Sequence, residues 1–307
     1  MFCDYIYEVV RRKKGDGKLR RPEIIKKRII SIVIIFLILI VLFTVLVPFF
    51  WTFITSVAPT VDLHQRPPKW LPSKISFRYY IDIFTSSKIA YGVSYEFKRG
   101  ILNSVIVSIS VTAISLFLGS LAAYSVIRLK VPFGKFITLF ILLTQMMPPV
   151  ILIIPLYFIA SKIGMLDRKI SLILIYLAFN LPLAVWILEG YFKSIPVSIE
   201  ESALIDGCSR LQSLFRILLP LSGPALFTTG IFVFITSWNE FLMALVFTSS
   251  LTAKTMPVSI AQFMGRFTTN YGLMATAGIL GSMPPLIFAA VFQRYLISGI
   301  TAGSVKG

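Results

Sequence analysis

Two cysteines, Cys3 and Cys208, and a single histidine, His64, are all the thiols and imidazoles in a chain of 307 residues. That scarcity excludes a disulfide framework and leaves no Cys/His spacing that would hold zinc. No catalytic constellation of nucleophile, base and orienting group forms around one lone histidine. No Gly-x-x-x-x-Gly-Lys-Ser/Thr occurs, so the chain has no P-loop to cradle nucleotide phosphates, and Gly134-Lys135-Phe136 is not one. Acidic residues are few as well, 13 against 30 Lys and Arg. The ten-residue alternating segments of a membrane barrel are missing too.

The chain is rich in apolar residues. The hydrophobic fraction is 56% and the mean hydropathy +0.84, whereas soluble domains run near ~45–50% apolar. Charge-free windows span 29–61, 100–127, 136–161, 170–188, 217–239 and 267–293. Each reaches the roughly 18–20 residues that a membrane helix needs. Helices satisfy their own backbone hydrogen bonds in lipid. The expected fold is therefore an all-α integral membrane bundle of six transmembrane helices, near 30–56, 101–127, 136–160, 170–188, 224–248 and 272–296. A basic tail, 1–28, precedes a membrane domain, 29–307, and a polar loop occupies 194–220.

A net charge of +17 suggests nucleic acid until its distribution is considered. Ten Lys or Arg lie between Arg11 and Arg28, directly before the first apolar run. Arg128, Lys130 and Lys135 crowd the link between helices 2 and 3. Dense positive charge beside membrane ends marks the cytoplasmic side. Both termini are thus expected inside, and the charge serves the membrane surface rather than a nucleic acid. The first apolar run exceeds the ~7–15 residues of a signal core, so an uncleaved helix is expected. Cys3 and Cys208 then both fall inside, where disulfides are rare. His64 falls in an outside segment, 57–100, with Trp70, Tyr79, Tyr80, Tyr91 and Tyr95, aromatics suited to a headgroup belt.

Helix 2 carries Ser104, Ser108, Ser115, Gly119, Ser120, Ala122 and Ala123, small residues that let helices approach closely in lipid. Met146-Met147-Pro148-Pro149 and Pro155 must kink or break helix 3. Helix 4 has Asn180 and Pro182, and helix 6 has Gly278, Gly281 and Pro284-Pro285. Glu240 is the one acidic residue within a predicted helix. It either lines a path or contacts a partner, or it sits near a helix end and reaches water.

The loop at 194–220 reads as two short helices bent at a glycine. Ser198-Ile199-Glu200-Glu201 is a candidate capping box with Ser198 as N-cap, and Ser209-Arg210-Leu211-Gln212 is a second. Gly207 suits a left-handed stop between them. Leu211, Leu214, Phe215 and Leu218 recur at helical spacing on one face, and Pro220 is expected to end that helix. By pattern alone the pair could lie on the membrane surface as amphipathic helices.

The spacing adds a second reading. Glu201-Ser202-Ala203, three residues, Gly207, nine residues, then Ile217-x-Leu219-Pro220 resembles the cytoplasmic EAA loop of ABC-importer permeases. Ser202 replaces the usual alanine. Ile205-Asp206-Gly207, Ser237-Trp238-Asn239-Glu240-Phe241 and the tail from Gln293-Arg294-Tyr295-Leu296 to Gly307 resemble the second permease subunit of carbohydrate importers of the maltose type. So does Gly119-Ser120-Leu121-Ala122-Ala123-Tyr124-Ser125, followed by Arg128. The match covers about 30–307 and leaves the basic head outside.

The resemblance implies a subunit that forms half of a sugar pore and works by alternating access. Glu201, Ser202, Ala203, Asp206 and Gly207 would enter a cleft on a separate ATPase, with Ile217, Leu219 and Pro220 completing the motif. Glu201 would meet a basic group there. Residues 301–307 would reach toward the interface of two ATPase subunits, and 249–271 would face an extracytoplasmic sugar-binding protein. A homologous second permease would complete the pore. ATP and Mg would sit on the ATPase, with no cofactor on this chain, which would itself not be an enzyme. The location implied is a prokaryotic inner or plasma membrane. Asn180, Ser237, Trp238, Asn239 and Glu240 are candidates for the path or gate, since a neutral polyol asks for hydrogen-bonding groups and aromatic faces. The alternatives are an ABC-importer permease for a non-sugar solute and, from another class, a secondary transporter, which would need ion-coupling carboxylates at mid-membrane.

Overall fold

The computed structural model describes residues 21–65, 69–85, 91–129, 131–264 and 270–304, with side chains except at 21–27, 91–94, 135 and 292–304. The chain divides into two compact units, Met1–Phe53 and Ile54–Gly307. The described part of the first is most of α1 (Arg21–Val57), a helix apolar almost throughout. Cys3 and the basic tail up to residue 20 lie outside the described residues.

The second unit is a helical bundle. Two short outer helices, α2 (Thr60–Leu63) and α3 (Arg78–Phe84), lead into the long α4 (Tyr91–Ile127). Then come α5 (Gly134–Thr144), α6 (Pro149–Lys162) and α7 (Lys169–Ser194). The polar loop holds α8 (Val197–Ile205) and α9 (Arg210–Ser213), a π-turn at Leu214–Leu218 and α10 (Leu219–Leu221). The chain finishes with α11 (Gly223–Asn239), α12 (Leu242–Phe247), α13 (Met256–Ala261) and α14 (Tyr271–Ser304).

Four helices are long and apolar enough to cross a membrane unaided, and the number is six if each of two bent pairs, α5 with α6 and Arg210–Leu221 with α11, counts as one span. The predicted helix 3 is one such pair: α5 and α6 meet at 90° across Gln145 to Pro148, where the prolines were expected to break it. The predicted helix 5 is interrupted too, because α11 ends at Asn239 and α12 restarts at Leu242. The predicted helix 4 runs on to Ser194, which places Glu189, 3% exposed, inside it beside Lys193. Glu240, expected inside helix 5, instead falls in the break between α11 and α12, outside both helices.

Tertiary contacts fix the directions of crossing. Arg128, just past the end of α4, donates to the carbonyls of Phe192 and Ile195 at the end of α7, at 3.1 and 2.7 Å. At the opposite end, Lys169 at the start of α7 donates to Asn103 Oδ1 in α4 at 3.3 Å. The two helices thus run parallel, so α5 and α6 together must return across the bundle. A core of Val107, Val111, Leu172, Tyr176, Val233 and Phe247 joins α4, α7, α11 and α12. Small residues permit the approach: a Cβ on Gly119 would lie 3.3 Å from that of Ala184. The outward faces stay apolar, as at Phe136 and Ile154, which suits a lipid solvent.

Two of the predicted belt aromatics turn out to be packed within the protein. Tyr79 is buried and shares a 2.7 Å hydrogen bond with Thr60, and Tyr80 shares one of 2.9 Å with Ser56. The Tyr79 ring packs against Gly272, so a Cβ there would strike the ring carbons. Gly272→Ala is expected to cost about 1–3 kcal/mol by overpacking. A thermal melt in detergent would register it as a lowered midpoint, and an unchanged midpoint would refute it.

Candidate functional site

The loop after α7 has one locally determined end and one that local signals misread. Helix α8 starts from Pro196 (φ −56°, ψ 134°), not from Ser198. Proline's fixed φ and missing N–H place the helix entry ahead of the serine. The capping box from Ser198 to Glu201 therefore does not form, and the Ser198 carbonyl accepts from the Ser202 hydroxyl at 2.9 Å. At the far end, Gly207 takes φ +87°. Its N–H donates to Leu204 O at 3.1 Å and the Cys208 N–H to Ala203 O at 3.0 Å, a Schellman closure that favours glycine. The second predicted box is present: Ser209 Oγ accepts from the Gln212 N–H at 3.3 Å, and Gln212 Oε1 accepts from the Ser209 N–H at 2.9 Å.

Pro220 does not end the next helix. The π-turn shifts the ladder so that the Leu219 N–H reaches Leu214 O, and the helix runs on to Leu221 with Pro220 near its start. A widened turn absorbs the hydrogen bond that proline cannot make. Leu214 and Leu218 are buried with Ala123, Tyr124, Leu188 and Phe192, while Leu211 and Phe215 stay exposed. The loop is thus keyed into the bundle and does not simply rest on a membrane surface.

Of the residues singled out by the motif, Glu201, Ser202, Asp206, Gly207 and Pro220 are exposed, Ala203 is buried, and Ile217 and Leu219 are half-buried. Sequence reasoning missed Glu200. Its carboxylate turns inward, 4% exposed. Tyr124 donates its hydroxyl to Glu200 Oε1 at 2.5 Å. Arg128 Nε lies 3.2 Å from Oε2, close but not aligned as a hydrogen bond, and Arg210 lies 3.5 Å from Oε1. Tyr124 also approaches the Arg210 carbonyl at 3.1 Å. The clasp therefore ties α8 and α9 to α4 and, through Arg128, to the end of α7. Removing one partner of a buried pair costs about 3–5 kcal/mol. The available signal was the Tyr124 and Arg128 of the helix 2 segment, read in the sequence as part of the family resemblance and, for Arg128, as an orientation charge, but not paired with Glu200.

The five path candidates divide between two places. Asn180 donates to Tyr176 O at 2.8 Å, receives the Thr236 hydroxyl, and lies 3.5 Å from Ser237 Oγ. Beside them, Glu240 spans the helix break. It accepts from Tyr176 OH at 2.6 Å, from Met243 N at 2.8 Å and from Ala244 N at 3.1 Å. Trp238 faces away and donates to Gly281 O at 3.0 Å. With Asn239, Met256, Pro257, Ile260 and Ser282 it lines a hollow of about 250 Å³.

The opposite end of the bundle holds a hydrogen-bonded ledge. Asp167, at φ 58°, accepts from the N–H groups of Ser249 and Ser250, both at 2.9 Å. Burial pushes its carboxyl up, but the hydrogen bonds from Ser250 and Ser249 together outweigh it and hold it below the usual carboxylate range. Asn103 donates to the carbonyls of Leu251 and Lys254 at 3.1 and 2.8 Å. Among the described residues, no group of three His, Cys, Asp or Glu could hold a metal.

A multi-pass helical bundle with a motif-bearing loop clasped to one end defines the membrane subunit of a transporter. The chain belongs to the family of binding-protein-dependent transport system inner membrane components, matched over residues 115–302. It is 35% identical to the trehalose/maltose transport system permease protein MalG of Thermococcus litoralis, over 94% of this chain and 99% of that one. It is 36% identical to the trehalose transport system permease protein SugB of Mycobacterium tuberculosis, over 85% and 93% respectively. Among solved structures, a chain of a bacterial ABC transporter involved in alginate import superposes with TM-score 0.73 at 22% identity, covering 92% of this chain and 99% of that one. A chain of the MetNI methionine ABC transporter gives TM-score 0.55 at 16% identity, covering 70% and 99%. Both structural likenesses concern the fold. The resemblance read from the EAA loop is borne out, and so is the six-helix permease fold.

Proposed function

We propose that this chain forms half of the translocation pore of a binding-protein-dependent ABC importer for carbohydrate, in a prokaryotic inner or plasma membrane. The observation that carries this reading is the motif loop, which presents Glu201 and Gly207 at its surface while its inner face is locked to the bundle. Glu201 to Gly207 dock in a cleft of a separate ATPase, which supplies ATP and Mg and performs the hydrolysis. A homologous permease completes the pore, two ATPase subunits drive it, and an extracytoplasmic sugar-binding protein delivers cargo to the ledge around 249–256. Closure of the ATPase dimer moves the loop, the bundle turns with it, and the path opens outward. The sugar assignment leans on the relatives named for trehalose and maltose transport. The hollow beside Trp238 and Asn239 offers the mixed aromatic and hydrogen-bonding wall that a neutral polyol needs.

Glu240 speaks against the secondary-transporter alternative. Its two oxygens already take three donors, which leaves little capacity for a coupling ion. The test is to purify the chain in detergent from its native membrane and identify what accompanies it. An ATP-hydrolysing subunit and a second permease are expected. A stable lone chain without ATPase activity would overturn the reading.

A further inference from the structure

We infer that Glu200 is a positioning residue of the transport cycle. Its clasp with Tyr124, Arg128 and Arg210 makes α4 a rod that carries displacement of the docked loop to the ledge held by Asn103. This rests on the proposed ATPase docking and adds the route by which movement leaves the loop. Glu200 and Glu201 are neighbours on α8 yet differ in environment: Glu201 is exposed, and Glu200 is sealed in the bundle. One short helix thus offers an outer face to a partner and an inner face to α4.

Three features make the clasp a transmitter rather than a simple anchor. Tyr124 touches both Glu200 on α8 and the Arg210 carbonyl on α9, so both sides of the Gly207 bend are pinned to one side chain. The side chains of Arg128 and Glu200 are each only 5% exposed, so their attraction is weakly screened. Arg128 also grips the last carbonyls of α7. The loop therefore cannot shift without taking the ends of α4 and α7 along.

The other end of the same helix completes the argument. Asn103, 1% exposed, is fixed to the backbone of the ledge through Leu251 and Lys254. Between Asn103 and Arg128 the helix spans roughly 38 Å at about 1.5 Å per residue. It carries no proline and packs on α7, α11 and α13. Two buried polar grips on one unbroken helix bring the ATPase side and the ledge into one mechanical unit.

The test uses the whole complex in proteoliposomes: this chain, its partner permease, the ATPase subunits and the loaded binding protein. The readouts are sugar taken up per ATP hydrolysed and the factor by which the binding protein raises hydrolysis. Glu200→Gln keeps the side-chain shape and loses the charge. It is expected to lower uptake per ATP roughly tenfold, in line with typical coupling energies, while the ATPase still co-purifies. Tyr124→Phe should move the ratio in the same direction by less, and Glu200→Asp should recover part of it. Asn103→Ala should lower the binding-protein effect, and combining it with Tyr124→Phe should add little further loss if one rod carries both. A wild-type ratio in Glu200→Gln overturns the inference. So does loss of the ATPase from that variant, since Glu200 would then shape the docking surface itself. Should Glu200→Gln fail to fold, Tyr124→Phe decides: a wild-type ratio there overturns the inference. Wild-type complex is run alongside. If it shows no ATP-driven uptake, the importer reading fails, whereas uncoupling confined to the variants bears on the clasp alone.

Discussion

Gly207→Pro is expected to lower ATP-driven uptake by at least about tenfold, a coupling-scale effect, while the bundle still inserts and holds together. Gly207 sits at φ +87°, and proline is locked near about −65°. The substitution also deletes the N–H that Gly207 donates to Leu204. The Schellman closure is then lost, and α9 can no longer leave α8 at the present angle. The buried cores do not include Gly207, so damage should stay in the loop. Gly207→Ala is the control. No atom lies within 4 Å of a Cβ built there, so its cost is only the left-handed backbone penalty of about 1–2 kcal/mol. Uptake into vesicles, with co-purification of the ATPase, measures both. Wild-type uptake by the proline variant would remove the loop from the mechanism.

Glu201→Lys in the same assay separates geometry from charge. Among the described residues, Glu201 makes no hydrogen bond or ion pair within the chain, so its reversal leaves the fold alone. Loss of uptake with a normal melt would then place the defect at the partner's surface.

Much of this was legible because lipid is a severe solvent. The six charge-free windows fall on four unbroken candidate spans and two bent pairs, since a long apolar run has few other fates. The EAA spacing was equally readable, and Gly207 and the box from Ser209 to Gln212 formed where local chemistry placed them. What failed did so for identifiable reasons. The motif Ser198-x-x-Glu201 is a valid cap signal in isolation, but Pro196 had already set the helix entry. Pro220 should end a helix, and the π-turn before it supplied another register. Glu200 and Glu201 are chemically identical neighbours, and only the distant Arg128 and Tyr124 decide which of them turns inward. The break between α11 and α12 had no local marker either, because neither glycine nor proline lies within Asn239-Glu240-Phe241-Leu242. It is held by Glu240, which accepts from the N–H groups of Met243 and Ala244 and from the hydroxyl of Tyr176 on another helix.

That dependence makes Glu240→Ala the most destructive single change expected outside the loop. The carboxylate accepts from Tyr176 OH and from the N–H groups of Met243 and Ala244. Alanine would leave the first turn of α12 uncapped and the hydroxyl of Tyr176, a residue 1% exposed, without its acceptor. An unsatisfied buried polar group costs about 1–3 kcal/mol, and Tyr176, Met243 and Ala244 are all buried. The variant should melt well below wild type in detergent and lose uptake with it. Glu240→Gln discriminates between roles. Its amide oxygen still accepts from a peptide N–H and its amide nitrogen can donate to Tyr176, so a capping role predicts a mild loss of stability and largely retained uptake. A carboxylate that carried an ion or proton through the cycle would predict the reverse: normal melting with uptake abolished by either substitution. Retained uptake in Glu240→Gln beside collapse in Glu240→Ala would fix Glu240 as the group that holds the helix break open. Abolished uptake in a stable Glu240→Gln would instead give the carboxylate itself a part in the path or gate.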